Sequence, residues 1–186
     1  MSEIFKKLNL KEQKEILVLN SPESFEPEVH NVALEGITIR RSPGEVEAID
    51  FSLAFVIRQE ELDQISAAVT QKARGDAVIW FAYPKGTSKK YKCEFNRDTG
   101  WGGLGTAGFE PVRQVAIDED WSALRFRRAS LIKTMKRRSS MALSEDGKSR
   151  TAPQSPQRGL APRRRLVLMQ LYGAGRVKNS AELTKT

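Results

Sequence analysis

Ala48-Ile-Asp-Phe-Ser-Leu-Ala-Phe-Val-Ile57, then Gln59 to Ala73, then Asp76-Ala-Val-Ile-Trp-Phe-Ala-Tyr-Pro84, is the stretch on which the fold turns. In the first run Phe51, Leu53, Phe55 and Ile57 alternate with smaller residues, the pattern of a buried strand. The middle run puts Leu62, Ile65, Ala68, Val69 and Ala73 on one helical face. Gly75 follows, where a helix C-terminus favours glycine. The last run is almost wholly apolar, as a strand covered on both faces must be. Strand, helix, strand in this order predicts parallel pairing through a crossover helix.

Upstream, Leu10 to Ile16 reads as a short polar helix or lead-in. Glu15-Ile-Leu-Val-Leu-Asn-Ser-Pro22 then supplies another apolar strand ended by turn residues. Glu23, Glu26 and Glu28 suit the opening of a helix, and Pro27 keeps that helix short. Ile37-Thr-Ile39 is a minor strand candidate and Ser42-Pro-Gly-Glu45 a turn. Downstream, Lys85 to Lys92 is a basic loop, and a short helix holds Trp101 and Leu104 up to Gly108. Pro111 to Ile117 and Trp121 to Arg127 are strands around the turn Asp118-Glu-Asp120, which predicts a hairpin. The expected fold is α/β: a small Rossmann-like, mostly parallel sheet flanked by helices and ending in an antiparallel hairpin, over residues 5–134. Residues 135–186 are expected to form a basic, largely flexible tail. Within it Arg137 to Leu143 is a candidate short helix, and Asp146 to Arg165 has few large apolar residues.

Composition narrows the chemistry. One Cys and one His among 186 residues exclude a disulfide within the chain and leave too few ligands for a Cys/His zinc site. A Ser-His-Asp or Cys-His mechanism could use only His30. No apolar run approaches the ~20 residues that cross a bilayer. The first residues lack a secretory leader's apolar core, so a cytoplasmic protein without membrane contact is expected. Charge is uneven. Residues 1–75 hold 9 basic and 13 acidic side chains, whereas residues 129–186 hold 13 basic and 3 acidic ones. The net charge of +8 therefore belongs to the C-terminal third.

The segment from Tyr83-Pro84-Lys85 through Arg97-Asp-Thr-Gly-Trp101 and Gly108-Phe-Glu-Pro-Val112 to the hairpin resembles a bacterial family of small α/β proteins. That family is a domain of unknown function, and the resemblance spans roughly residues 10–135. It implies a fold and no activity. More remotely, the order of elements is similar to the C-terminal half of Rossmann-like methyltransferases. Their Gly-rich cofactor loop is replaced here by Asn20-Ser-Pro-Glu-Ser24, so no cofactor is expected.

Among candidate motifs, Gly100-Trp-Gly-Gly-Leu-Gly105 matches G-x-G-x-x-G in letters, but a charged loop precedes it where the dinucleotide fingerprint needs a strand. Ligands of parallel α/β sheets bind outside the carboxyl ends of the strands. That places a candidate anion site on the loop after Tyr83-Pro84, with Lys85, Thr87, Ser88, Lys89, Lys90, Arg97 and Asp98 as its residues. Asp98 has a second reading as a helix N-cap and Trp101 as core. Asp118, Glu119 and Asp120 could attract a cation but suit a solvated turn better, and no metal site is expected. Cys93, after Lys89, Lys90 and Lys92, is either a small hydrophobe or a thiol with lowered pKa. Arg127-Arg-Ala-Ser130 and Arg137-Arg-Ser-Ser140 resemble basophilic kinase sites.

No acid, base and nucleophile set assembles from these residues. Three functions follow as expectations. The first is a non-catalytic binding or regulatory module with a protein partner. The second is an enzyme or sensor for a small anionic ligand at the 84–101 loop. The third is weak, non-specific nucleic-acid contact through the tail.

Overall fold

The computed structural model describes residues 2–135 and 141–151. Its elements are α1 (Glu3–Lys7), β1 (Glu15–Leu19), α2 (Glu26–Leu34), β2 (Thr38–Arg40), β3 (Ile49–Phe55), α3 (Gln59–Lys72) and β4 (Ala73–Pro84). After these come α4 (Gly102–Thr106), β5 (Phe109–Ala116), β6 (Trp121–Arg128) and α5 (Glu145–Thr151). The six strands form one sheet in the order β2-β1-β3-β4-β6-β5. β2, β1, β3 and β4 run parallel, while β6 lies antiparallel to both β4 and β5. This is the mostly parallel Rossmann-like α/β sheet with a closing hairpin that the apolar runs predict.

Strand alternation splits the core between the two faces of the sheet. Along β4, Ala77, Ile79, Phe81 and Tyr83 join one cluster, and Val78, Trp80 and Ala82 join the other. The first cluster is covered by Leu62 and Val69 of α3 and Leu104 of α4. The second is covered by Phe5 of α1 and by Val29 and Val32 of α2. Trp80 is fully buried, and its Nε1 donates to the Leu8 carbonyl at 2.7 Å, tying the N-terminal segment to the central strand.

Local departures have identifiable causes. Residues 10–14 form no helix; the short helix lies earlier, at α1, because Phe5 and Leu8 anchor it in the core. Gly75 is no helix terminator. The helix ends at Lys72 and the chain passes directly into β4, where Ile49 pairs with Ala73 but Phe51 pairs with Val78. The surplus residues bulge out, and Gly75 takes the positive φ of +53° that the bulge demands. Two ion pairs hold the bulge, Arg74 to Asp50 and Arg127 to Asp76.

Residues 141–151 are part of the folded body, not free of it. The Glu110 carboxylate on β5 accepts hydrogen bonds from the N–H groups of Leu143 and Ser144 and from the Ser144 hydroxyl, at 2.6–2.8 Å. Arg150 donates to the carbonyls of Ala129 and Ile132. Among the described residues the helix of this segment is α5, and its Gly147 packs where a Cβ would strike Glu110; the candidate helix at 137–143 lies largely outside the described residues. The predicted flexibility of the rest of the tail and the Arg137-Arg-Ser-Ser140 motif lie outside the described residues.

Candidate functional site

Three parallel strands, β1, β3 and β4, release their chains at the same end of the sheet. The order reverses between β1 and β3, since β2 lies on one side of β1 and β3 on the other. That switch point is where an open α/β sheet ordinarily receives a ligand. Here it is filled with acid and closed. Asn20 turns the chain with a φ of +53°. The first turn of α2 carries Glu26 and Glu28. Arg41 spans to Glu26 with two hydrogen bonds, at 3.0 and 2.7 Å, and donates a third to Ser21. The Arg41 bonds, aided by Ser21 and against the opposing effect of burial, hold the Glu26 carboxyl below the usual 4.5. Carboxylates thus take the helix N-terminus that would face a phosphate. The glycine-lined backbone that a dinucleotide or S-adenosylmethionine cradle needs is missing, so this turn does not fit such a cofactor.

The exit of β4 is different. Lys85 N–H donates to the Asp120 carbonyl at 2.7 Å, and its ammonium reaches the Asp118 carbonyl. Ser88 Oγ donates to Asp120 Oδ1 at 2.8 Å and accepts from the N–H groups of Lys90 and Tyr91. Lys90 lies 3.7 Å from Asp120 Oδ2. The hairpin turn is therefore a staple for this loop. Asp118 closes the turn by accepting from the N–H groups of Asp120 and Trp121. Among the described residues no group of three or more His, Cys, Asp or Glu could hold a metal ion.

Further along, Glu94 caps α3: its carboxylate accepts the Gln59 N–H at 2.8 Å. Glu61 completes that helix start by accepting from the N–H groups of Ile57 and Arg58. Burial alone would raise the Glu61 carboxyl, but those N–H groups and the Arg58 guanidinium leave it below 4.5. Gly100 has a φ of +92°, and a Cβ there would strike the Phe95 ring. Trp101 is buried as expected, and its Nε1 donates to the carbonyls of Asn96 and Arg97. Asp98 caps no helix: α4 starts from Trp101 without a side-chain cap, and Asp98 is exposed, 4.0 Å from the Arg97 guanidinium.

Between this loop and the hairpin lies an open cavity of about 850 Å3. Of the residues expected from the sequence, Lys85, Thr87, Ser88 and Arg97 line it, and Lys89, Lys90 and Asp98 do not. Tyr91 and Lys92, at the end of the same basic loop, line it as well, together with Gln114, which the sequence did not single out. Gln114 comes from β5 and donates to the Tyr83 hydroxyl at 3.0 Å. Burial raises the Tyr83 phenol above its usual 10.0. Cys93 also lines the cavity, and burial outweighs its neighbours and raises the thiol above 9.0, so the lysines beside it do not produce a thiolate. His30 is exposed on α2, away from these residues in sequence and absent from this lining.

No family model and no curated protein matches the chain. Solved structures with a similar chain path include an S-adenosylmethionine-dependent methyltransferase from Aquifex aeolicus, 14% identical, covering 68% of this chain and 88% of its own, at a TM-score of 0.47. Another is the tRNA methyltransferase TrmK of Bacillus subtilis, 8% identical, covering 77% and 74%, at 0.45. A third is a Rossmann-superfamily protein of Streptococcus agalactiae, 14% identical, covering 69% and 68%, at 0.39. These neighbours are of the kind that the order of elements resembles remotely. Likeness of this degree concerns the path of the chain and assigns no activity. No described helix is long and apolar enough to cross a membrane.

Proposed function

We propose that this chain is a non-catalytic binding module that holds a small anionic ligand in the cavity at the exit of β4. The observation that supports this reading is the charge of the lining. Lys85, Lys92 and Arg97 stand there against one carboxylate, Glu94, and that carboxylate is already engaged by the N-terminus of α3. The hydroxyl of Thr87 and the backbone of the loop add polar groups beside the cations. The volume suits a ligand of nucleotide size or smaller.

The test is a thermal-shift panel on the full chain with phosphate, small carboxylates, nucleoside monophosphates and S-adenosylmethionine. A bound anion at ~100 times its Kd adds ~2.7 kcal/mol and raises Tm by a few degrees. A flat panel from a folded sample refutes the ligand. Contact of the basic tail with nucleic acid is a separate proposal, resting on residues 154–186, which hold 7 basic side chains and 1 acidic one. It requires binding that weakens steeply with salt and disappears on truncation after Pro153.

A further inference from the structure

Among the described residues Glu110 is the one buried acid, with 1% of its surface exposed. Its two oxygens fare differently. Oε1 accepts all three hydrogen bonds from Leu143 and Ser144. Oε2 is buried and has no hydrogen-bond partner among the described residues. A buried carboxylate oxygen without a donor is costly, so an orphan of this kind calls for an explanation.

The surroundings supply one. Glu110 lines a second cavity, of about 460 Å3, at β5, the strand edge opposite β2, and no residue of the lysine loop is among its described walls. Its walls are Val112, Ile132 and Met135, with Thr134 as the uncharged polar group. Arg127 is also on the wall and is the register partner of Glu110 across β5 and β6. It does not answer Glu110, because its guanidinium is fixed on both oxygens of Asp76 at 2.6 Å. A bulge between Pro111 and Arg113 leaves Val112 out of the ladder and turns it toward the cavity mouth, 39% exposed.

We infer that this cavity is a second binding site, selective for a primary ammonium group on a short aliphatic stem, with Glu110 Oε2 as its acceptor and Val112, Ile132 and Met135 around the stem. The number of free oxygens decides the head group. A guanidinium binds best as a fork on two oxygens, and Glu110 offers one. An ammonium is a compact point donor that one oxygen can satisfy. Apolar walls favour a methylene chain over a hydrated ion. The same chemistry is carried by a free alkylamine and by a lysine side chain of a partner protein.

The experiment titrates n-butylammonium into the full chain and follows the methyl resonances of Val112 and Ile132. Saturable shifts are expected at millimolar concentration, with n-butanol, the uncharged analogue of the same stem, at least tenfold weaker. Glu110→Gln should weaken butylammonium at least tenfold. Because Glu110 also anchors residues 143 and 144, that variant could fail to fold; Val112→Trp fills the cavity from a partly exposed position and should abolish the shifts with the carboxylate intact. Equal binding of butanol, shifts that do not saturate, or undiminished binding in Val112→Trp would overturn the site. A second arm compares butylammonium with Nα-acetyl-lysine methylamide. Tighter binding of the lysine derivative assigns the site to a partner's side chain, and tighter binding of the free amine assigns it to a metabolite amine; either order supports the ammonium chemistry.

Discussion

The turn after β1 and the loop after β4 leave the sheet at the same end, yet they have opposite character. The first is short, acidic and locked by Arg41 on Glu26 and Ser21. The second is long, basic and open over a cavity of about 850 Å3. Strand polarity makes both positions eligible for a ligand. Side chains then decide between them. Carboxylates in the first turn of α2 disfavour an anion there, whereas the one carboxylate lining the β4 cavity, Glu94, is engaged in capping beside Lys92 and Arg97. The sheet supplies an address, and the loops determine whether anything is delivered there.

The contrast can be broken most severely at Trp101. It packs edge-on against Phe81 and Phe95 and donates to two loop carbonyls. Trp101→Ala should cost about 3–5 kcal/mol, as truncation of a buried aromatic does. Chemical denaturation would read this, together with loss of any anion response at the β4 loop.

A sharper variant is Lys92→Ala combined with Arg97→Ala. Both side chains are exposed and line the cavity. Anion affinity should fall about 10- to 100-fold, or about 1.4–2.7 kcal/mol of binding. The Tm of the free protein should stay unchanged, because exposed charges contribute little to folding. Calorimetric titration of the two proteins decides it.

Arg41→Ala addresses the other arm of the comparison. It removes a partly exposed pair and should cost about 0.5–1 kcal/mol by urea denaturation. Binding at the β4 loop should be untouched. Anion affinity that drops with Arg41 would mean the ligand sits at the β1 turn.

The smallest effect is on pH. Glu26 and Glu61 both have folded pKa values below the ordinary 4.5. Their stabilisation is therefore full above pH 4.5 and is lost as pH falls through the folded values. Each is partly exposed, so screening keeps its share to about 0.5 kcal/mol. Tm measured from pH 7 to pH 3 should fall mainly below 4.5, and Glu61→Gln should flatten part of that fall.

Much of this architecture was legible beforehand, for reasons that also explain what was not. Val78 to Ala82 and Phe51 to Phe55 announce buried strands because a two-sided strand has no polar alternative. Helix α3 shows its face through Leu62 and Val69. The hairpin shows through Asp118 and Asp120 between two patterned runs. Gly75 misled because glycine serves a helix end and a bulge equally well, and only pairing of β3 with β4 separates the two. Residues 141–151 were read as tail since they offer little apolar surface. Leu143 and Ser144 are held by hydrogen bonds to a single carboxylate, Glu110, a kind of contact that leaves no periodic signal. In the β4 loop, charge marks a segment but does not say which lysines the hairpin consumes. Lys90 lies against Asp120, whereas Lys92 lines the cavity.

The most direct test of the account is a map of backbone amide shifts during titration of the full chain with inorganic phosphate and a nucleoside monophosphate. The account predicts saturable changes at residues 85–97 and at Gln114, with residues 20–26 and Arg41 still. Changes centred on residues 20–26, or none outside the tail, would contradict it.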